Sequence, residues 1–392
     1  MIDRIISPHL KRMMKLFPAV GLIGPRQCGK TTLALQIKKE LGDKALYYDL
    51  ESPDDENKFR DPELLLNNLV AKTIIIDEIQ RKPELFAILR SIIDKNRKNG
   101  RFLLLGSASP EMIKGASESL AGRITYIEAT PFLLGELPSS PDTENKHWLR
   151  GGFPGAWLAR SNNDAKAWMA AFTRTFIERD LNTLFGTSFS PALMFRLWRM
   201  LAHQHGQLWN AASFSKGLDI SPVTVNRYVD YLQGAFMVRR LQPWFENSRK
   251  RLTKSPKVYI RDSGILHHLL GLYDKNSLLN HPSVGYSWEG YVVEQICALL
   301  PDTVHPFFYR TIDGAEMDLV IAKGIKPHVC IEIKLSTAPS VSRGMTQSII
   351  DLECKNNFII TSGNAPAWKI RKDIVVCGLQ DFLKNQLGRL IK

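Results

Sequence analysis

Gly24, Pro25, Arg26, Gln27, Cys28, Gly29, Lys30, Thr31 and Thr32 lie between an apolar run at residues 19–23 and the amphipathic run that follows. A glycine-framed turn from strand to helix aims backbone N–H groups and a helix N-terminus at one point, which makes a cradle for phosphate oxygens. Lys30 is spaced to reach the β- and γ-phosphates of ATP, and the Thr31 hydroxyl to enter the shell of its Mg²⁺. Further on, Ile74-Ile75-Ile76-Asp77-Glu78 is an apolar run ending in two carboxylates. Asp77, at the carboxyl end of that strand, is expected to order the Mg²⁺, and Glu78 to activate the attacking water. Ser107 ends the next run and is placed either to sense the γ-phosphate or to form a turn. Arg123 precedes the run at 124–128 and is either a finger reaching a neighbouring subunit's nucleotide or an ordinary surface arginine.

A second constellation lies near the C-terminus. Thirteen residues separate Asp318 from Glu332, which belongs to Ile331-Glu332-Ile333-Lys334. Alternation along a strand puts Glu332 and Lys334 on one face. If the Asp318 strand pairs with it, two carboxylates converge on Mg²⁺ or Mn²⁺, while Lys334 steadies a water or a pentavalent phosphate. Glu294, on a helical run at 285–300, is a candidate third metal ligand. The plainer alternative makes Glu332 and Lys334 the polar face of an edge strand and Glu294 a solvated helix residue.

These groups need elements to hold them. Runs at 19–23, 45–50, 73–77, 101–106 and 124–128 alternate with helical patterns, so a parallel, doubly wound α/β sheet is expected. From Lys146 the pattern turns helical, punctuated by Arg150-Gly151-Gly152-Phe153-Pro154-Gly155. Residues 208–243 have the rhythm of a helix-turn-helix followed by a strand, with Ser221 as N-cap and Pro222 at the first helical position. Thr224, Asn226 and Arg227 are then candidate nucleic-acid contacts. Arg239, Arg240, Arg249, Lys250, Arg251 and Lys254 extend the basic character, although a packing role with solvated charges is the competing reading.

Of 392 residues, 52 are Lys or Arg and 39 are Asp or Glu, a formal charge of +13 that favours a polyanionic partner. Nucleic acid, most naturally DNA, leads, and a membrane surface comes second. The cysteines at 28, 297, 330, 354 and 377 form no Cys-x-x-Cys pair and read as reduced thiols. Residues 1–17 lack the pattern of a signal peptide, and no apolar run reaches the roughly 18 to 20 residues that span a bilayer. A cytoplasmic protein without membrane partners is expected.

The phosphate loop, Asp77-Glu78-Ile79-Gln80, residues 104–109 and the stretch from Gly122-Arg123-Ile124 to Pro131-Phe132 together resemble the AAA-type P-loop ATPases of bacteria and archaea that continue into a winged helix and a C-terminal nuclease-like domain. The resemblance covers nearly the whole chain, and its phosphate-loop part is the most specific. It implies a homo-oligomer, such as a ring, in which the Arg123 finger acts across an interface. The Glu, Asp, Glu-x-Lys order resembles the PD-(D/E)xK nuclease fold of Holliday-junction resolvases and restriction enzymes, except that Met317 replaces the proline before Asp318. The expected division is an ATPase domain at 1–145, a helical and winged-helix module at 146–256 and a restriction-endonuclease-like α/β domain at 257–392. The leading expectation is an ATP-driven, DNA-processing motor feeding a metal-dependent nuclease. The alternative is an ATP-dependent switch or scaffold that binds nucleic acid or protein without cutting.

Overall fold

The computed structural model describes residues 2–109, 120–187, 189–245 and 252–391. The chain forms two compact units, one comprising Met1–Phe132, Arg174–Ser190 and Asp230–Met237 and the other Leu133–Thr173, Pro191–Val229 and Val238–Lys392. They alternate along the chain, so the sequence boundaries at 145 and 256 do not fall at their edges.

The first unit is built on five strands, β1 (Ala19–Ile23), β2 (Ala45–Asp49), β3 (Thr73–Asp77), β4 (Phe102–Gly106) and β5 (Ile124–Glu128). Their order is β2-β3-β4-β1-β5, and every pairing is parallel. Strand β4 is buried throughout, as a central strand covered on both faces must be, which is why it reads as an unbroken apolar run. Helix Leu85–Lys95 buries Leu85, Phe86, Leu89, Ile92 and Ile93, one helical stripe. Leu33 and Ile37 of helix Lys30–Leu41 pack with Val20, Leu22, Leu103 and Leu105. Because β1 lies between β4 and β5, the loop after it opens at the carboxyl edge of the sheet, where parallel α/β folds bind ligands.

Helix Pro191–His203 of the second unit leads into β6 (Gln207–Leu208), helix Ala211–Leu218 and helix Pro222–Gly234, which belongs to this unit as far as Val229, then β7 (Val238–Leu241) and β8 (Lys257–Ile260). These strands make an antiparallel sheet in the order β6-β8-β7. Asn210 caps its helix by accepting from the N–H groups of Ala212 and Ser213, and Ser221 Oγ accepts from Thr224 N–H at 3.1 Å.

A six-stranded sheet follows, made of β9 (Val304–Arg310), β10 (Glu316–Lys323), β11 (Lys326–Ile333), β12 (Asn356–Thr361), β13 (Trp368–Arg371) and β14 (Ile374–Gly378) in the order β13-β14-β12-β11-β10-β9. Strands β9, β10 and β11 form an antiparallel meander, and β12 returns parallel to β11 after helix Arg343–Leu352. Leu319 and Ile321 face one core with Trp288 and Val292 of helix Val284–Cys297, while Val320 and Ala322 face another with Met345 and Leu352. Among the described residues no helix is long and apolar enough to cross a membrane.

Candidate active site

Gly24 leaves β1 at φ +153°, where a Cβ would lie 2.0 Å from the Ala129 carbonyl oxygen, so only glycine admits this close approach to the end of β5. The loop ends at Gly29, in left-handed conformation, as the N-cap of helix Lys30–Leu41. Lys30 Nζ donates to the carbonyls of Gly24 at 2.9 Å and Pro25 at 2.8 Å and to Ser107 Oγ at 3.1 Å. Thr31 Oγ1 donates to Asp77 Oδ2 at 2.7 Å, which sets two hard oxygen donors side by side, the type that Mg²⁺ takes. Tyr47 OH donates to the same oxygen at 2.8 Å, and burial together with the Asp77 charge raises the phenol's pKa.

Glu78 follows at φ 52°, a left-handed conformation that is costly for a residue with a Cβ. Its Oε1 accepts from Ser107 Oγ at 3.0 Å and its Oε2 from Gln80 Nε2. Burial raises its pKa, and Lys30 and Arg26 pull it back. The structure therefore brings Lys30, Thr31, Asp77, Glu78 and Ser107 into one site. Cys28 is buried, with its thiol donating to the Ala129 carbonyl at 3.4 Å, and burial raises its pKa. Arg123 lies apart from this group, with Nε and NH2 donating to Asp94 at 2.6 and 2.9 Å. Sequence reasoning passed over Arg4, which is buried and donates to the carbonyls of Cys28 at 3.0 Å and Thr130 at 2.6 Å, bracing the loop.

In the second unit β10 and β11 do pair, with Leu319 opposite Ile331, which puts Asp318 and Glu332 next to each other on the ladder. Asp318 Oδ2 accepts from Ile333 N–H at 2.8 Å, and Lys334 Nζ pairs with Glu332 at 2.6 Å. Glu294 does not join them. Arg239 and Arg261 each donate to it at 2.7 Å through Nε, and against the opposing effect of burial they hold its pKa down to about 2. The candidate metal ligand is thus an internal counter-ion, and Arg239 is withdrawn from the exposed basic set. Glu289, on the same helix, takes the expected place.

The group at the centre of these acids is an ammonium. Lys257 Nζ, at the start of β8, lies 2.9 Å from Glu289, 2.9 Å from Glu316 and 3.8 Å from Asp318, and Tyr259 OH donates to Glu289 at 2.6 Å. The Lys257 side chain is 3% exposed. Burial works against its charge, but Tyr259, Glu289, Asp318 and Glu316 keep its pKa well above normal. Burial, Glu289 and Glu332 raise that of Asp318, with Lys257 opposing. Among the described residues no set of three or more His, Cys, Asp or Glu side chains is arranged to hold a metal ion. Lys257 beside Glu289, Glu316 and Asp318, and Lys334 beside Glu332, thus supply positive charge where Mg²⁺ or Mn²⁺ was expected.

Residues 16–137 match the family described as AAA domain, residues 142–276 a domain of unknown function (DUF8612) and residues 284–382 another (DUF4143). An uncharacterised protein of Mycobacterium bovis and one of Mycobacterium tuberculosis are each 43% identical over 361 residues, covering 92% of this chain and 80% of theirs. The chain belongs to their family. Its first unit carries an AAA-type P-loop ATPase domain, and the protein is an ATPase. The Walker-type ATPase of Pyrococcus abyssi aligns with 69% of the chain and 96% of its own at a TM-score of 0.47 and 17% identity.

The candidate nucleic-acid contacts of this AAA-type ATPase lie on helix Pro222–Gly234. Arg227 is exposed. Asn226 is exposed but already accepts from the Trp209 indole N–H at 2.8 Å, and Thr224 Oγ1 meets Ser221 Oγ at 2.9 Å. Both are therefore partly committed within the helix-turn-helix. Lys254 is exposed, whereas Arg249, Lys250 and Arg251 lie outside the described residues.

Proposed function

We propose that this ATPase is an oligomeric, cytoplasmic, ATP-driven switch that engages DNA and that its C-terminal nuclease-like region binds without cutting. The observation that carries the second half is Lys257: an ammonium among Glu289, Glu316 and Asp318 stands where a cutting enzyme would gather its carboxylates around a cation. Three functional segments, 1–145, 146–256 and 257–392, serve this scheme. The order helix, β6, two helices, β7 and β8 supports a winged helix for the middle one. A helix, a three-strand meander, a crossover helix and a parallel strand support a PD-(D/E)xK-like core for the last.

In the ATP site, the backbone of residues 24–32 cradles the phosphates and Lys30 neutralises the β- and γ-oxygens. Mg²⁺ bound with the nucleotide supplies charge neutralisation on those oxygens. Thr31 and Asp77 hold the ion's ligand shell, Glu78 takes the proton of the attacking water, and Ser107 senses the γ-phosphate. Arg123 serves as the finger in a neighbouring subunit, with Asp94 as its resting partner.

Metal-dependent cleavage is the second reading, favoured by Asp318 and Glu332 meeting on paired strands with Lys334 beside them. The deciding test incubates the full-length protein with labelled linear and four-way branched DNA, Mg²⁺ or Mn²⁺, with and without ATP, beside an Asp318→Ala control. Salt-dependent binding with no products supports the switch. Products that vanish in the control establish the nuclease instead. Failure to bind DNA even at low salt removes nucleic acid from the scheme.

A further inference from the structure

Arg26 is a charged side chain inside a loop whose task requires mainly backbone donors. Its guanidinium meets three carboxylates from three elements: NH1 donates to Asp180 at 2.7 Å, NH2 donates to Glu51 at 2.7 Å, and NH2 lies 3.8 Å from Glu78 Oε2. The Arg26 side chain is 13% exposed and that of Asp180 4%. Burial opposes the charge on Arg26, yet Glu78, Asp180 and Glu51 together hold its pKa above normal.

Asp180 closes a π-helical turn, Phe176–Asp180. Such turns are rare and recur at functional sites. Here the last residue of the turn supplies the carboxylate that accepts from Arg26 of the phosphate loop. Glu78 is strained at its other end by a left-handed backbone and steadied by Ser107 and Gln80. The charged groups that face it are Lys30, Arg26 and Asp77.

We propose that Arg26 is a positioning residue for ATP hydrolysis, a tether that aims Glu78 and that Asp180 in turn holds in place, so that the segment Arg174–Ser190 sets how well Glu78 is directed at its water. This rests on Glu78 being the group that activates the water. A base must be aimed at the proton it takes, and a guanidinium that Asp180 and Glu51 hold limits where the carboxylate can turn. Without it the carboxylate turns toward Gln80 and Ser107 alone.

The test measures steady-state kcat and KM for ATP hydrolysis by the full-length protein at neutral pH, for the wild type and for Arg26→Met, Arg26→Lys, Asp180→Asn, the Arg26→Met/Asp180→Asn double variant and Glu78→Gln. Misplacing a reacting group by about 1 Å costs on the order of 100-fold, so Arg26→Met is expected to lower kcat about 10- to 100-fold with KM within about twofold. Arg26→Lys restores part of the rate. Asp180→Asn lowers kcat by a smaller factor and adds nothing to Arg26→Met in the double variant, as members of one network do. Arg26→Met leaves the buried Asp180 with only Arg179 Nε, at 3.5 Å, as a cationic partner among the described residues; should it fail to fold, the lysine variant and the double variant carry the test. A raised KM with unchanged kcat, or additive losses, would overturn the proposal. Wild-type turnover by Glu78→Gln would remove its foundation instead, whereas an inactive Glu78→Gln beside an unaltered Arg26→Met would defeat the tether alone.

Discussion

Lys257→Met removes the charge and keeps much of the stem, and its consequences can be worked from the distances. At 2.9 Å and an effective dielectric constant of about 20, the attraction to Glu289 is roughly 6 kcal/mol, and at 3.8 Å that to Asp318 is roughly 4 kcal/mol. The Glu316 contact is discounted because that side chain is 34% exposed and screened by water. Desolvation of the ions cancels most of this attraction, but deleting one partner leaves carboxylates buried without a countercharge, which costs about 3 to 5 kcal/mol. The loss depends on pH. Asp318 and Glu332 have raised folded-state pKa values, so each weakens the fold as pH climbs from the unfolded carboxyl value near 4 toward its folded value. Without Lys257 the Asp318 value rises further, and the variant recovers by taking up protons in acid. The ammonium's own raised pKa contributes stability that is complete below about 10 and is therefore constant between pH 5 and 8.

The assay is urea unfolding followed by tryptophan fluorescence. All eight tryptophans, from Trp148 to Trp368, belong to the second unit, so the signal reports that unit alone. The midpoint should fall by the equivalent of about 3 to 5 kcal/mol at pH 8 and by clearly less at pH 5. A loss under about 1 kcal/mol, or one equal at both pH values, would refute the view that Lys257 is the countercharge of the cluster.

Three other outcomes are expected. Lys30→Ala should cut ATP turnover at least about 100-fold, the scale of losing one electrostatic stabiliser of the transition state, as read in a phosphate-release assay. Glu294→Gln should cost the second unit about 3 to 5 kcal/mol at neutral pH by removing the buried charge that Arg239 and Arg261 share. In the wild type the Glu294 contribution is present above the unfolded carboxyl value near 4 and is lost as pH falls through about 2, so the variant and wild type should converge in strong acid. Arg123→Ala should hydrolyse ATP slowly on its own but regain turnover when mixed with Lys30→Ala subunits, since one partner then supplies the finger and the other the intact loop; no recovery in the mixture would confine Arg123 to its pair with Asp94.

The ATP site was legible because its chemistry is local. A strand, a glycine turn and a helix follow one another within Ala19–Leu41, and β1, β3 and β5 begin and end where the apolar runs do. The carboxylate cluster was harder for a physical reason. Helix Val284–Cys297 is buried on every side from Ser287 to Ile296, so no polar stripe reveals which of Glu289 and Glu294 faces the sheet. Lys257 follows a basic loop and was not singled out. Alternation along Lys257-Val258-Tyr259-Ile260 does put Lys257 and Tyr259 on one face, a signal that gains meaning only once the acids from β10 and the helix are known to meet them. Asn226 was read as a DNA contact from its exposure on a helix, and its bond to Trp209 depends on a turn that spacing does not reveal.

The alternation of the two units along the chain also has a bearing on how the protein comes into being. The stretch Met1–Phe132 leaves the ribosome well before Asp230–Met237, which belongs to the same compact unit. At about 5 to 20 residues per second that gap is on the order of 5 to 20 s. During this interval the nascent chain carries all five strands of the ATPase sheet but lacks the last segment of their unit, while residues of the second unit are already emerging. Neither unit corresponds to one continuous stretch of coding sequence, so exchanging either by a single recombination event would break both.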